Sequence, residues 1–465
     1  MTLANIEPGI PFDARFLGTD PFINQGTGAS TTDVEVVGAA MHAAVEFDAL
    51  RFKSITSYRD LQSRFSRDAD ASPFTLAETQ SNYNQSQFSQ ELQLSNANPA
   101  RIEWLLGAYF FEERGDNQET AEIAAAVFDV TMDPSLAFSL LGNISVKNRS
   151  SAIFGHADIS VTPKFTIGFG ARFTQEEKQA AVQFLASDIG FPLIGDPNGN
   201  LNYDDFSPRI SAQYAVNEET LLYASASQGF KSGGFTGRYV TPTPALQAFD
   251  PEELTSYEVG LKSTLLDKRL RLNIAGYFSD YEDIQILIFD GIAPQTRNAG
   301  TGEIKGIEIE THWLIKPNLR LSSYANYTDA RYTSLNTEVA VELFEALNLD
   351  DNFVNTPEWS VGATLDANTP LSKTLELRLS LSMNYQDETA NDAINTPELI
   401  QEGRTVFDGE LAVQHRSGFE ITLYGRNIGD ETVIVSGAAD IPTFGAVEAI
   451  YAPPREIGVA VNFSF

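Results

Sequence analysis

A strict alternation of apolar and polar residues, repeated many times, constrains the fold of this chain more than any other feature. In residues 375–383 every odd position is apolar and every even position is polar, and residues 164–174 and 269–278 alternate in the same way. Successive side chains of a β-strand point to opposite faces, so the pattern predicts strands with one apolar face. Such segments have about ten residues, which exceeds the roughly five or six of soluble sheets and suffices to cross a bilayer at a tilt.

Tight turns and long polar segments follow one another along the chain. Turn-forming residues join pairs of predicted strands at Asp48, Asn98-Pro99, Thr162-Pro163-Lys164, Asn217-Glu218, Asp267-Lys268, Lys316-Pro317-Asn318, Thr369-Pro370 and Ser417-Gly418. Longer polar segments separate the pairs near residues 61–83, 116–149, 179–205, 229–252, 282–302, 331–356, 387–402 and 429–454. Short turns at one end and long loops at the other are typical of outer-membrane β-barrels. We therefore expect an all-β, transmembrane antiparallel barrel with long external loops and short periplasmic turns.

The pattern yields about 17 strands between residues 33 and 465. An odd number is unexpected, because bacterial single-chain barrels close with an even number of strands. We therefore expect the chain to begin partway around a barrel, with residues 1–32 forming an external loop or a truncated N-terminal segment and residues 33–465 forming the barrel domain. The first residues also lack the basic and apolar regions of a secretory signal, so we expect the signal to be missing from this chain.

Composition excludes several other classes of protein. The formal net charge of −32 argues against nucleic-acid binding, which needs Lys and Arg to neutralise phosphates. There is no cysteine, so disulfides and cysteine-ligated metals are excluded. No run approaches the roughly 18 apolar residues of a membrane-spanning helix. Acidic loops that face solvent explain the charge.

Two further signals fit a membrane barrel. The last predicted strand, residues 457–465, alternates Val459, Val461 and Phe463 with small and polar residues and ends on Phe465, as many outer-membrane barrels do. Trp104, Trp313 and Trp359 fall near predicted strand ends, where an aromatic girdle would place them.

Several motifs, in order, carry a resemblance to a known family. They are Phe88-Ser89-Gln90-Glu91-Leu92-Gln93-Leu94-Ser95 with residues 104–110, Ser207-Pro208-Arg209 with Leu222-Tyr223-Ala224-Ser225, residues 228–235, residues 251–252 with 257–263, Lys305-Gly306-Ile307-Glu308, and Tyr424-Gly425-Arg426-Asn427-Ile428-Gly429-Asp430 with residues 453–458. Together they resemble the barrel half of TonB-dependent outer-membrane receptors over roughly residues 33–465.

The resemblance implies a 22-stranded barrel, so this chain would supply the last 17 strands and lack the N-terminal plug domain and the box that contacts TonB. It also implies ligand-gated, TonB-energised uptake of a scarce nutrient such as a ferric siderophore. The expected partners are outer-membrane lipid, lipopolysaccharide and a small nutrient ligand, with no nucleic acid. Contact with TonB is expected only through the missing N-terminal region. The expected oligomeric state is a monomer. A passive porin-like channel and a soluble β-rich binding protein or enzyme are the alternatives.

No residue constellation predicts catalysis, a cofactor or a metal site, and the ligand-binding residues stay unknown. His42, His156, His312 and His415 are scattered without metal-ligand spacing, and His156 and Asp158 are expected to line the barrel interior. Residues 229–234 contain Lys-Ser among glycines, but a strand rim entering a loop explains them better than a phosphate loop does.

Two polar segments carry weaker hypotheses. Asp196, Asn198, Asn200, Asn202, Asp204 and Asp205, around Gly199, resemble a calcium loop without its terminal Glu, so an external loop that contacts divalent cations is one hypothesis. Residues 121–128 and 135–141 are apolar enough for short helices, which would form either a ligand-facing lid or loop packing.

Overall fold

Seventeen long antiparallel strands contain most of the residues that the structure describes. The structure, a computed structural model, describes residues 20–23, 25–26, 28–68, 77–98, 101–123, 138–186, 190–239, 242–290, 293–336, 347–440 and 446–464. The long strands are β1 Thr31–Phe47, β2 Leu50–Asp68, β3 Ala77–Asn96, β4 Ile102–Ile123, β5 Phe138–Thr162, β6 Phe165–Ala186, β7 Asn198–Asn217, β8 Thr220–Lys231, β9 Glu252–Leu265, β10 Leu270–Glu282, β11 Gly300–Lys316, β12 Leu319–Leu335, β13 Trp359–Pro370, β14 Leu375–Gln386, β15 Arg404–His415, β16 Phe419–Arg426 and β17 Glu456–Phe463. Each pairs with the next along the chain, so the predicted all-β antiparallel sheet is confirmed.

The predicted alternation sets the two faces of this sheet. In the last ladder Phe419 lies opposite Phe463 and Ile421 lies opposite Val461, and all four side chains are exposed on one face. The opposite face of the same ladder carries Glu420 and polar or small partners. Large exposed apolar side chains recur on the first face of neighbouring strands, which is the surface that lipid would cover. We refer to it as the outer face.

The sheet is curled, with the other face turned inward. β2 and the segment between β16 and β17 belong to opposite ends of the strand order, yet Arg67 and Glu448 form an ion pair. Phe22, just before β1, also contacts Tyr451 edge to face at 6.3 Å between ring centroids. Such contacts require the two ends of the sheet to approach each other. We refer to the enclosed side as the inner face.

The short turns lie where the sequence predicts them, although Pro99 falls outside the described residues. Strands β1 and β2 are joined through Asp48, whose φ of 48° is left-handed. The turn between β9 and β10 holds Leu266, Asp267 and Lys268 at φ values of 56°, 55° and 66°. Three consecutive non-glycine residues in this region are strained, because each Cβ crowds the backbone.

Three of the predicted long loops are mostly strand. Among the described residues, β2 continues to Asp68 and β3 begins at Ala77, so the loop predicted at 61–83 is much shorter. The loops predicted at 116–149 and 179–205 shrink in the same way, whereas the other five agree closely with the structure. The prediction failed because residues outside the alternating apolar pattern still pair as strands, with Asn198 opposite Ala181 and Leu140 opposite Ala121.

The short helices predicted at 121–128 and 135–141 are wrong in the parts that the structure describes. Residues 121–123 end β4 and residues 138–141 begin β5, paired with each other from Ala121 opposite Leu140. Residues 124–137 lie outside the described residues. The described helical segment is the single turn Pro397–Leu399, and no described helix is long and apolar enough to cross a membrane.

Tyrosine rings pack over glycines on the inner face. Gly260, Gly306, Gly362 and Gly458 lie opposite Tyr223, Tyr277, Tyr324 and Tyr424 in four separate ladders. A Cβ at any of these glycines would come within 2.3–2.5 Å of the partner ring or its hydroxyl. Because each glycine lacks a side chain, the tyrosine ring of the preceding strand can pack directly over its backbone.

The two outermost strands each lack a neighbour on one side. In the described residues no ladder joins β1 to β17, and every residue of β1 is exposed. A sheet that crosses lipid needs partners for the backbone N–H and C=O groups along its edges, and no described strand supplies a ladder there. The Arg67–Glu448 and Phe22–Tyr451 contacts join the two ends of the sheet at the long-loop end.

Candidate ligand-binding site

Loops fold onto the inner face at the long-loop end of the sheet. On the extended part of β6, Ala180, Val182 and Phe184 are buried although the strand has left the apolar band. Tyr239, from the segment between β8 and β9, is 2% exposed and packs into the same cluster. The cluster is completed by Leu140, Leu193 and Ile194. This first loop core explains why β5 and β6 continue so far as strands.

Backbone contacts hold the described parts of the segment 232–250, residues 232–239 and 242–250, in that position. Thr243–Ala245 pairs with Ile194–Asp196 in a short parallel ladder, and the Thr243 N–H donates to the Leu193 carbonyl at 2.8 Å. The Gln247 N–H donates to the Tyr239 hydroxyl at 2.8 Å. Burial is the main reason that the pKa of Tyr239 is raised above its ordinary value. The neutral phenol is thus fixed as part of the core.

A second loop core lies along β10–β12. The hairpin Gln285–Asp290 and Ala293–Asn298 places Ile286 and Ile288 against Tyr332 and Phe353, whose ring centroids are 4.5 Å apart. Burial raises the pKa of nearby Asp351, while the Asn348 backbone N–H lowers it by donating to that carboxylate. Two loop cores thus cover the inner face from different sides.

Two ion pairs connect these loops to the first strands. Arg238 Nε lies 3.0 Å from one oxygen of Glu119 and 3.1 Å from the other. Arg67 forms its ion pair with Glu448, which belongs to the hairpin Ile434–Asp440 and Ala446–Tyr451. We use the term mouth for the region between the described parts of the segments 232–250, 285–298 and 434–451 and the ends of β2 and β4 near Arg67 and Glu119.

A cavity of about 440 Å³ with both apolar and polar lining residues opens on the inner face beside Gln285. Lys231 Nζ lies 3.3 Å from the buried carboxylate of Glu252, which also accepts the Gln285 N–H at 2.6 Å. Gly229 lines the cavity, and a Cβ there would meet no atom within 4 Å. Ser227, Ser256 and Tyr281 supply hydroxyls. The cavity can hold a small polar group by hydrogen bonds.

The wall below the first loop core is also polar. Glu113 accepts hydrogen bonds from Gln85 and from Asn148, the latter at 3.3 Å. Arg172 lies 5.4 Å from the centroid of Tyr109 and 5.5 Å from that of Phe154. The inner face therefore offers charged, amide and aromatic contacts to a solute.

Two of the histidines that the sequence singled out lie beside carboxylates, and the Lys-Ser segment lies at a strand end. His156 lies 3.1 Å from Asp158 on the inner face, as predicted, and His312 lies 3.2 Å from Glu310. The described residues contain no group of three potential metal ligands. Residues 229–231 end β8 and lead into a loop, which confirms the strand-rim interpretation.

The calcium-loop hypothesis is wrong in its premise. Residues 198–205 belong to β7, paired with β6 from Asn198 opposite Ala181 to Asp205 opposite Thr174. An extended strand points alternate side chains to opposite faces, so these oxygens cannot converge on one cation. Asn198, Asn200 and Asn202 share the outer face.

The sequence alone did not predict these ion pairs. Glu119 and Arg238 are separated by 119 positions, and neither belongs to a motif. No local signal identifies such a pair, because its formation depends on the path of the loops.

Comparison with known proteins gives a consistent result. The sequence model of the family described as TonB dependent receptor-like, beta-barrel matches residues 3–428. The pesticin receptor of Yersinia pestis is 25% identical over 248 residues, covering 53% of this chain and 34% of that protein. The metal-pseudopaline receptor CntO of Pseudomonas aeruginosa is 34% identical over 128 residues, covering 27% of this chain and 17% of that protein. The chain thus spans about a third or less of these relatives.

Solved structures share the fold. The ferric yersiniabactin uptake receptor FyuA from Yersinia pestis superimposes with a TM-score of 0.78 and 18% identity, covering 94% of this chain and 62% of that one. The siderophore receptor PiuA from Acinetobacter baumannii gives 0.74 and 16%, covering 93% and 65%. Because the family model matches most of the sequence, the chain belongs to the TonB-dependent-receptor-like β-barrels, which are proteins of the cell outer membrane.

Proposed function

We propose that the intact protein is an outer-membrane receptor that imports a scarce nutrient, such as a ferric siderophore, with energy from TonB. The observation that carries the proposal is the mouth, where long loops fold inward over a polar inner face instead of leaving a wide opening. A loop-covered chamber suits capture of a dilute solute better than passive flow. The named relatives, which are receptors for pesticin and metal-pseudopaline, support the same class.

The rest of the machinery lies outside this chain in the proposal. Additional strands pair with the free edges of β1 and β17 and complete a barrel of about 22 strands. A plug domain fills the lumen and carries the contact to TonB. Residues 1–32 then form an external segment and residues 33–465 the barrel domain. Lipid and lipopolysaccharide surround a monomer, and the protein performs no chemical step on its ligand.

Iron uptake in living cells tests the proposal. A strain deleted for the gene is grown under iron limitation with single purified siderophores, and uptake of labelled iron is measured. We expect one chelate to lose uptake on deletion and to regain it with the full-length gene, but not when residues 232–250 are removed or TonB is absent. A folded deletion variant that still imports at the original rate would refute the role of the loops.

Electrical conductance distinguishes the proposed receptor from the porin-like alternative. The full-length protein is inserted in planar bilayers, and current is recorded without ligand or TonB. A receptor closed by its plug gives no stable open channel. A steady open pore of the full-length protein would favour the passive channel instead.

A further inference from the structure

The outer face of β3–β7 changes character above a row of exposed phenylalanines. Phe88, Phe110, Phe173 and Phe206 are 38–59% exposed on this face. The rings of Phe88 and Phe110 have centroids 6.4 Å apart, and Phe173 lies opposite Phe206 in the ladder between β6 and β7. Towards the long loops, charged and amide side chains take the place of these rings. The row therefore marks the upper edge of the surface that lipid tails cover.

Three cations surround one carboxylate just above this row. Arg114 Nη2 and Arg149 Nε each lie 2.7 Å from a carboxylate oxygen of Glu112, and Lys147 Nζ lies 3.6 Å from one. Arg149 Nη1 is also 3.6 Å from Glu177. We refer to these five residues as the basic cluster. It holds more cations than carboxylates, whereas acidic residues outnumber basic ones by 63 to 31 in the whole chain.

The guanidinium groups of the basic cluster keep donors that face outward. The side chains of Arg114 and Arg149 are 61% and 43% exposed, and each directs two of its three nitrogens at protein carboxylates. A guanidinium has five N–H donors in a fork that matches phosphate oxygens. Asp116 and Asp204, on adjoining rungs, accept hydrogen bonds from a serine and a glutamine, and within the described residues neither pairs with the cluster. The exposed side of the cluster can therefore accept an anion.

The basic cluster lies at the height of lipid headgroups. Glu112 follows Phe110 by two residues, and Glu177 follows Phe173 by four. At about 3.3 Å per residue and a strand tilt of about 40°, these separations place the cluster about 5–10 Å above the phenylalanines. The headgroup layer of one leaflet is roughly 5–8 Å thick. The phosphates of a membrane lipid therefore reach the arginines.

Beside and above the basic cluster, the same face carries exposed amides. They are Asn82, Asn84, Gln118, Gln179, Asn200 and Asn202, which we call the amide surface. Asn82 lies opposite Gln118 in the ladder of β3 and β4, and Gln179 lies opposite Asn200 in that of β6 and β7. β4 continues to Ile123, which at about 3.3 Å per residue is about 20–25 Å above the cluster. An amide both donates and accepts hydrogen bonds, as a sugar hydroxyl does.

We propose that the basic cluster and the amide surface bind one molecule of lipopolysaccharide in the outer leaflet. Its phosphates contact Arg114 and Arg149, and its core sugars lie along the amides. A phospholipid satisfies only the first part, because its headgroup ends at the height of the cluster and leaves the amide surface uncovered. The inference requires the outer-membrane location of the chain and does not depend on the uptake proposed above.

Native mass spectrometry of the purified full-length protein in detergent micelles counts the bound lipids. The probes are lipopolysaccharide with a complete core, lipid A, phosphatidylglycerol and inorganic phosphate, each titrated at fixed ionic strength. We expect one lipopolysaccharide to bind, with lipid A about threefold weaker and phosphatidylglycerol about tenfold weaker or more. An excess of inorganic phosphate should not displace the bound lipopolysaccharide.

Two double variants separate the two parts of the site. Arg114→Gln with Arg149→Gln should weaken the binding of both lipopolysaccharide and lipid A by about tenfold or more, since charge-assisted contacts to phosphate are lost. Gln118→Ala with Asn200→Ala should weaken the binding of lipopolysaccharide several-fold and leave that of lipid A unchanged. Amides with only a structural role would not distinguish the two lipids.

Lys305→Gln with Arg331→Gln is the matched control. These two cations lie 3.0 and 3.7 Å from Asp329 on the outer face of β11 and β12, close above the exposed ring of Trp359. Glu303 lies opposite Arg331, so the cations there are not in excess. We expect lipid binding to stay unchanged in this variant. Heat-modifiable migration on gels checks that each variant is folded.

Four results would overturn the proposal. They are equal affinity for lipopolysaccharide and phosphatidylglycerol, a loss in the arginine variant no larger than in the control, equal weakening of both glycolipids by the amide variant, and displacement of the lipid by inorganic phosphate. None of these measurements involves iron, TonB or cell growth. The uptake test can therefore fail while the lipid site holds, and the lipid site can fail while uptake holds.

Discussion

Adding one methyl group at Gly306 should destabilise the protein far more than adding it at the neighbouring Gly276. A Cβ at Gly306 would lie 2.3 Å from the carbonyl oxygen of Tyr327, 2.5 Å from the Tyr277 hydroxyl and 2.7 Å from Tyr277 Cζ. Non-bonded carbon contacts are normally about 3.5 Å or longer, so the overlap is about 1 Å. At Gly276 the nearest atom would be 3.8 Å away, which is an ordinary contact.

The cost follows from what must move. Tyr277 can rotate away, but it then loses its 3.0 Å hydrogen bond to Thr328, worth about 1 kcal/mol. The Tyr327 carbonyl belongs to the paired backbone of β12 and cannot rotate, so overpacking adds roughly 1–3 kcal/mol. We expect Gly306→Ala to lower the free energy of unfolding by about 2–4 kcal/mol. Gly276→Ala should leave it unchanged or raise it by up to about 1 kcal/mol.

Urea unfolding of the full-length protein in detergent micelles, followed by tryptophan fluorescence, measures the difference. The double variant Gly306→Ala with Tyr277→Ala separates the two clashes, because it removes the ring and leaves the backbone clash. We expect Tyr277→Ala to lower the free energy of unfolding less when Gly306→Ala is already present than when it is made in the wild type. Equal stability of Gly306→Ala and Gly276→Ala would refute the reasoning.

Three more predictions concern the outer face, one turn and one loop. Leu381→Arg, on the outer face in the middle of β14, should cost about 2–4 kcal/mol of folding free energy in vesicles, while Ser382→Arg on the inner face should cost much less; equal urea midpoints would contradict the assignment of faces. Leu266→Gly should raise the free energy of unfolding by about 0.5–1 kcal/mol, because the φ of Leu266 is 56° and glycine adopts such an angle without strain. Leu265→Gly in β9 should lower it, and a change of the same sign in both variants would disprove strain in the turn. Burial raises the pKa of Asp351, so its protonated form favours the folded loop; this stabilisation is complete below the unfolded carboxyl pKa of about 3.9 and is lost as the pH rises through the higher folded pKa. After division by the intrinsic rate at each pH, the exchange of residues 347–356 should therefore show protection that falls across that pH range in the wild type and stays constant in Asp351→Asn.

The sequence by itself determined the strands, the short turns and the outer face. Alternation in residues 375–383 fixes which side chains point outward, because the period of a strand is two whatever its neighbours are. Turn chemistry at Asp48 and Gly418 fixes where the chain reverses, because left-handed φ values favour such residues there. These signals are local, so the sequence alone carries them.

Only the tertiary structure decided what lies at the mouth. Residues 198–205 resemble a calcium loop in sequence, but they pair with β6 as a strand. Residues 138–141 resemble a helix in sequence, but they pair with β4 as a strand. Gly306 needs Tyr277 beside it only because of the ladder register, and Arg238 meets Glu119 only because a loop from β8 folds back over β4. Their chemistry depends on contacts between residues far apart in sequence, and no local pattern records such contacts.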